Sequence, residues 1–461
     1  MSMPSRANTF RFLGNVAWMT VFQASGYVLA LLNLPYLTRT LGVANYGTLA
    51  FVIGANAYLW LIIDWGFSLG ATKDVAQAHG EPDAIREIFW RTMTAKLVLA
   101  AVALAGLGIL VSLQKVPAPL YLLLPGLLNI CGAVLSVDWL MQGMGRMGLF
   151  SLYSIAGRTL VVILTFALVH GPQDTWIACA LQGLGGLIGG GAGFLVATRY
   201  VDIGRPRFPF RDSFRQILDY RHYFLSQSSW IAYTAAAPLL LTFVSGMEAT
   251  GIFAGAERIT RMVMAVTAPV AVVMYPRVSA LVSRSRSAAA ELAGILLAMQ
   301  ALVGIALSIG LMIFARPIVE LALGHKFTAS VAVLRWLALL PAIVGVGGTL
   351  SKQFLMPLGR SREVSAITIS CAVIYLALLA GLGRYMGPVG GAIGLVTAEA
   401  LLSLLSLRCL WTKERDFTVE ALQAAMTAPQ RVIKHMIELM TGDRTPLSPK
   451  PSPADAEDSS S

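Results

Sequence analysis

Charge is what this chain has least of: Asp, Glu, Lys and Arg make up only 13% of its 461 residues. A soluble protein carries about 25%. With 56% apolar residues and a mean hydropathy of +0.69, there is too little polar surface to face water on all sides. A soluble enzyme, a disordered chain and a collagen-like chain are all excluded. Cysteine is also scarce. Cys131, Cys179, Cys371 and Cys409 each stand alone in an apolar stretch, with no CxxC and no Cys/His cluster. They read as small buried hydrophobes, and neither a metal site nor a disulfide framework is expected. No HExxH, GxSxG, paired DxD or lysine-bearing phosphate loop occurs, so neither an enzyme nor a nucleotide-driven pump is expected.

What the chain has is apolar runs. A hydrocarbon core about 30 Å thick needs roughly 20 helical residues per crossing. That ruler predicts an all-α polytopic membrane protein of about twelve transmembrane helices in two six-helix lobes around a central cavity. The expected spans are 12–37, 46–64, 89–113, 118–142, 149–170 and 174–198, then 223–245, 249–275, 289–315, 331–357, 364–386 and 389–411. Residues 1–198 form the N-terminal lobe, 199–222 a basic cytoplasmic linker, 223–411 the C-terminal lobe and 412–461 a tail. The first span is too long and too polar (Asn15, Gln23, Asn33) for a cleaved leader. In the tail, Val432, Ile433, Met436, Ile437 and Met440 suit a helix lying on the inner leaflet, followed by a disordered Pro/Ser-rich end.

The few charges are asymmetric. The linker holds Arg199, Arg205, Arg207, Arg211, Arg215 and Arg221, and links of the same parity add Arg277, Arg284, Arg286, Arg360 and Arg362. Links of the other parity hold scattered single cations such as Arg39, Lys115 and Arg384. The positive-inside rule then places both termini in the cytoplasm. It also accounts for the net charge of +11 without a nucleic-acid partner.

The halves share a signature. Gly42, Gly47 and Ala50 match Gly246, Gly251 and Ala254 at one constant offset, each set following a proline. Met144-Gly145-Arg146 matches Leu358-Gly359-Arg360 after the fourth span of each half. Two like bundles of this kind permit alternating access.

Particular runs are recognisable. Leu34-Pro35-Tyr36-Leu37-Thr38-Arg39-Thr40-Leu41-Gly42 with Asn45-Tyr46-Gly47, then Asp64-Trp65-Gly66-Phe67 with Ala71-Thr72-Lys73-Asp74, resemble the polysaccharide transporter (Wzx-type lipid-linked oligosaccharide flippase) family. So do Asp138 to Gly143, Gly251 to Ile259 with Tyr275-Pro276, Pro357 to Arg360, and Gly390 to Glu399. The resemblance spans about 10–412 in constant order. It implies the multidrug/oligosaccharidyl-lipid/polysaccharide (MOP) superfamily fold in the bacterial inner membrane. It also implies an undecaprenyl-diphosphate-linked glycan as cargo, moved from the cytoplasmic to the periplasmic leaflet. The other partners implied are membrane lipids and the polymerase and chain-length proteins of the same pathway, which makes O-antigen, capsule or exopolysaccharide. Two rivals stand beside it: a cation-coupled multidrug exporter of the same superfamily, and a membrane glycan polymerase or transferase.

A flippase must carry a diphosphate through a slab where an exposed charge costs roughly 3 kcal/mol or more. Cationic side chains in a wet cavity solve this, arginine best because it grips phosphate bidentately. Arg261 and Arg258 in the eighth span are the leading candidates, with Arg158, Arg91, Lys96 and Lys352 after them. Glu257 sits one turn before Arg261 and can pair with it. The bland reading of that pair is an internal ion pair locking helices together. Arg91 and Lys96 are expected to snorkel to the cytoplasmic face. Glu399, mid-span, is the carboxylate best placed for proton or cation coupling; Asp64 and Asp138 are candidates too, or cap helices or pair with Lys73 or Arg146. Asn56, Asn129, Gln227 and Tyr375 are expected to meet sugar hydroxyls or to brace neighbouring helices. No resident cofactor is expected, a transmembrane proton or cation gradient being the available driving force.

Overall fold

The computed structural model describes residues 6–78 and 81–441, and every regular element among them is helical. In the first half these are α1 (Arg6–Leu41), α2 (Val43–Asp64), α3 (Phe67–Gln77), α4 (Pro82–Ser112), α5 (Leu120–Gly126), α6 (Leu128–Leu135), α7 (Asp138–Gly143), α8 (Met147–Leu168) and α9 (Thr175–Tyr200). The linker forms α10 (Phe210–Asp219). The second half holds α11 (Arg221–Met264), α12 (Ala268–Val282), α13 (Arg286–Ile313), α14 (Ala315–Ala322), α15 (Ser330–Leu337), α16 (Leu340–Gly348) and α17 (Ser361–Lys413). A last helix, α18 (Arg415–Thr441), follows.

Two of these are folded back on themselves. α11 turns at Gly246 (φ 89°), and the hydroxyls of Thr242 and Thr250 lie 2.8 Å apart. A straight helix would separate such residues by about 12 Å along its axis. α17 turns at Gly387 (φ 58°), where a side chain on Gly390 would overlap the Leu382 carbonyl and one on Gly394 would touch Leu378. Each therefore supplies two antiparallel spans. Among the described residues nine helical stretches are long and apolar enough to cross a membrane, and with α1 and the folded-back arms counted separately they give about twelve crossings: α1, α2, α4, α5 to α7, α8 and α9, then the arms of α11 (the second running on into α12), α13, α15 to α16, and the arms of α17.

The fourth and tenth crossings are broken. Pro125 and the extended Ser136 interrupt the fourth, and a π-helical stretch over Thr349–Leu355 interrupts the tenth. Hydropathy alone does not show these breaks, because apolar residues flank each of them on both sides.

The two sequence signatures are also signatures of backbone conformation. Gly42 and Gly246 adopt nearly the same torsions, φ 77° and ψ 177° against φ 89° and ψ 175°. Only glycine adopts that region without strain. Gly145 (φ 69°) and Gly359 (φ 79°) end their helices alike: Arg146 N–H donates to Met141 and Arg360 N–H to Leu355, at 2.9 and 3.0 Å.

The halves meet along α2 and α11. At one end Tyr46 packs edge-on against Phe327 (5.9 Å), and the Arg39 guanidinium donates to the Leu321 carbonyl. At the other end Trp65 stacks on Phe224 with ring centres 3.9 Å apart. The two halves thus touch at both ends of this seam.

The first half of α18 packs on the bundle. Phe417, Thr418, Ala421, Ala424 and Ala428 are buried, and a side chain on Gly294 of α13 would overlap the Ala421 carbonyl. Small residues permit that approach. The side chains of Val432 to Met440, which suggested a leaflet-bound helix, and the end beyond Thr441 lie outside the described residues.

Candidate functional site

The middle of the α2/α11 seam gathers ionisable side chains from three helices. On the second arm of α11, Arg261 donates through Nη2 and Nε to Glu257 Oε1 at 2.5 and 3.1 Å. One helical turn separates them, so the pair is built locally. Glu257 is 11% exposed and Arg261 39%, leaving the guanidinium the accessible partner. Tyr375 of α17, fully buried, lies within electrostatic reach of Glu257, Arg261, Tyr58 of α2 and Glu399 of α17. Arg258 is exposed and lies two turns beyond Gly251, on the α11 face that meets α2, where Tyr46 senses both it and Glu257. The seam therefore gathers two guanidiniums and three phenols beside two carboxylates. The sequence supplied Glu257, Arg258 and Arg261 as one cluster and Tyr375 and Glu399 separately; Tyr46 stood there only within a family motif, and Tyr58 was missed.

A second cluster lies inside the first half, around a cavity of about 230 Å³ lined by Trp60, Asp64, Ser68, Ser136, Asp138 and Gln142, among others. Behind it Lys96 is fully buried. Its Nζ donates to Ser136 O (2.7 Å), Ser136 Oγ (2.9 Å) and Ala133 O (3.2 Å). These are the carbonyls freed where α6 stops. In a membrane interior a broken helix must satisfy such groups internally, and a cation suits a helix C-terminus. Lys96 therefore does not snorkel, which corrects the expectation from its place near a span end. Asp64 and Asp138 lie within electrostatic reach of it. Asp138 accepts from Tyr153 Oη at 3.0 Å, and Asp64 from Ser68 Oγ at 2.9 Å. Neither carboxylate is ion-paired with Lys73 or Arg146; the Arg146 guanidinium instead covers the Tyr200 ring at 4.0 Å. Arg158 belongs to the same cluster, within reach of Asp138 and stacked over Phe22 at 4.2 Å.

The remaining candidates lie apart. Arg91 is also held in place, donating to Asp74 at 3.1 Å, while its carbonyl accepts from Ser213. Asp74 accepts a second bond from Tyr220 Oη at 2.5 Å. Burial and that bond raise the Tyr220 phenol well above its ordinary pKa. Asn56 donates to the Gly126 carbonyl at 3.1 Å, where α5 ends, and Asn129 sits against Gly186 of α9. Both brace helices. Lys352 is exposed within the π-helical break. The side chain of Gln227 lies outside the described residues.

One further charged knot has no sequence signature. Glu414, at the start of α18, accepts from Arg286 and, at 2.8 Å, from Arg360. Glu363 pairs with Lys413 at 2.6 Å. Among the described residues no group of three His, Cys, Asp or Glu side chains is placed to hold a metal ion.

The sequence model of the family described as polysaccharide biosynthesis protein matches residues 12–282. A relative from Escherichia coli (strain K12), provisionally named an O-antigen transporter, is 29% identical over 397 residues, covering 85% of this chain and 95% of that one. Another of the same name from Shigella dysenteriae is 26% identical, covering 86% and 99%. Among solved structures, the lipid II flippase MurJ in an inward closed conformation matches with a TM-score of 0.68 at 15% identity, covering 94% of each chain. An inward-facing multidrug resistance MATE transporter of the MOP superfamily matches at 0.59 and 17%, covering 88% of this chain and 98% of that one.

Proposed function

The chain belongs to the polysaccharide biosynthesis protein family and is a multi-pass membrane transporter with the MOP fold; from that premise we propose that it flips an undecaprenyl-diphosphate-linked oligosaccharide repeat unit. The direction is from the cytoplasmic to the periplasmic leaflet of the bacterial inner membrane, with both termini in the cytoplasm, in the assembly of a surface polysaccharide. The observation that carries this reading is the accessible guanidinium pair Arg258 and Arg261 on a membrane-spanning helix at the seam between two like halves.

A diphosphate entering the seam exchanges its water for guanidinium donors, which bind phosphate oxygens with charge-assisted hydrogen bonds. Glu257 holds Arg261 in one rotamer, so little side-chain freedom is lost on binding. Half-buried Tyr58 adds a hydroxyl for sugar or phosphate oxygens, while buried Tyr375 backs the Glu257/Arg261 pair. The polyprenyl chain stays in lipid throughout. Alternating access then opens one end of the α2/α11 seam while the other stays closed: Tyr46 and Phe327 guard one end, Trp65 and Phe224 the other. The Asp64/Lys96/Asp138/Arg158 cluster, with two charges of each sign, and Glu399 are the groups available for coupling to a proton or cation gradient.

The test is a strain deleted for the chain, from which lipids are extracted. A completed diphosphate-linked repeat unit accumulating on the cytoplasmic leaflet, cleared by restoring the chain, is the expected result. A truncated glycan would point to a transferase instead, and no change in any glycan lipid would favour drug export.

A further inference from the structure

Helix α10 presents an apolar stripe to the outside of the protein. Phe210, Phe214 and Leu218 follow one another at four-residue spacing and are 64%, 61% and 47% exposed. At about 100° per residue they cover one face. Arg211 and Arg215 flank that face on one side, while Asp212 and Asp219 point roughly the other way. Arg205, Arg207 and Arg221 extend the basic border, all five arginines are exposed, and none is ion-paired among the described residues.

The neighbouring face is fixed to the first half. Ser213 Oγ donates to the Arg91 carbonyl (2.8 Å), Gln216 Nε2 to Thr92 Oγ1 (3.1 Å) and Trp65 Nε1 to the Ile217 carbonyl (2.8 Å). Ser213, Gln216 and Ile217 are buried. The exposed aromatics are thus held outward on a rigid ledge, ten residues past the end of the α9 span.

A rigid helix at a span end, with a bare aromatic stripe edged by unpaired arginines, has the chemistry of an interfacial anchor. We propose that α10 is a docking surface for anionic phospholipid headgroups of the cytoplasmic leaflet, with Phe210, Phe214 and Leu218 entering the acyl boundary and the arginines holding phosphates. The side of the membrane follows from the orientation adopted above; the docking itself does not depend on the cargo.

The full chain is reconstituted in nanodiscs of phosphatidylcholine, with and without phosphatidylglycerol. A nitroxide is placed on Phe214→Cys in a background with the native cysteines replaced, and its accessibility to oxygen and to an aqueous nickel chelate is read. The label is expected to be shielded from nickel and open to oxygen, more deeply with phosphatidylglycerol. Native mass spectrometry of the otherwise unmodified chain should show retained phosphatidylglycerol in preference to phosphatidylcholine. Replacing Arg205, Arg207, Arg211 and Arg215 by Gln should reduce that preference about tenfold or more, and replacing them by Lys should largely keep it. A nickel-accessible label in both mixtures overturns the proposal. A depth and lipid retention indifferent to phosphatidylglycerol also overturns it. So does shielding that arises only when undecaprenyl diphosphate is added, which would assign the surface to cargo. Failure of the flipping reading would leave all these readouts unchanged.

Discussion

Gly47 of α2 and Gly251 of α11 lie back to back, each taking the place a side chain on the other would need. A Cβ on Gly47 would overlap the Met247 carbonyl, and one on Gly251 the Val43 carbonyl. These are equivalent positions of the internal repeat, so the matching glycines of the two halves meet each other at the seam.

Gly251→Ala should therefore loosen this end of the seam. Overpacking of a tight contact costs typically about 1–3 kcal/mol. A disulfide between cysteines introduced at Val43 and Met247 should form at least several-fold more slowly in the variant. Unchanged crosslinking would mean that the contact is not what closes this end.

Lys96→Met should destabilise the protein by about 1.5–3 kcal/mol, because it leaves the Ser136 carbonyl without its charged donor. Thermal unfolding of the purified chain reads this loss. Adding Asp138→Asn should recover part of it, since groups in one network are non-additive. Simple additivity would break the link between the two residues.

Arg261→Ala should lower flipping by about tenfold or more without changing membrane abundance, as expected for loss of a charge-assisted hydrogen bond to cargo. Arg261→Lys should keep part of the activity. Surface polysaccharide per cell, normalised to protein level, is the measurement. Full export by the alanine variant would leave Arg261 as a helix-locking ion pair only.

Glu414→Ala should free α18. Arg286 and Arg360 would face each other across the vacated position, with the hydrogen bonds of both lost. Hydrogen exchange over residues 415–428 should accelerate at least tenfold, while α2 and α11 stay protected. Equal protection with and without Glu414 would show that the Gly294/Ala421 packing alone holds the helix.

What could be read from sequence divides along physical lines. The crossings follow from hydrophobic length, and their number needs only lipid thickness. Glu257 and Arg261 were legible as a pair because one turn of helix brings them together. Lys96 was not, because its partners lie about forty residues away at a break in α6 that hydropathy does not register. The same holds for Glu414, whose partners come from the starts of α13 and α17. The tail helix was legible as a helix, but beyond Phe417 its docking face is Thr418 and three alanines, which score weakly on an apolar scale. The glycines at 42, 47, 246 and 251 were visible as a repeat; that two of them touch follows only from the fold.

Flipping itself is read by reconstituting the purified chain in liposomes that contain an undecaprenyl-diphosphate-linked oligosaccharide and adding an external enzyme that modifies only the exposed glycan. With the chain present, the protected inner pool should become fully modified, and Arg261→Ala should slow this at least tenfold. An inner pool that stays protected, under conditions in which the chain is folded and any gradient it needs is supplied, would mean that the chain is not a flippase for this lipid.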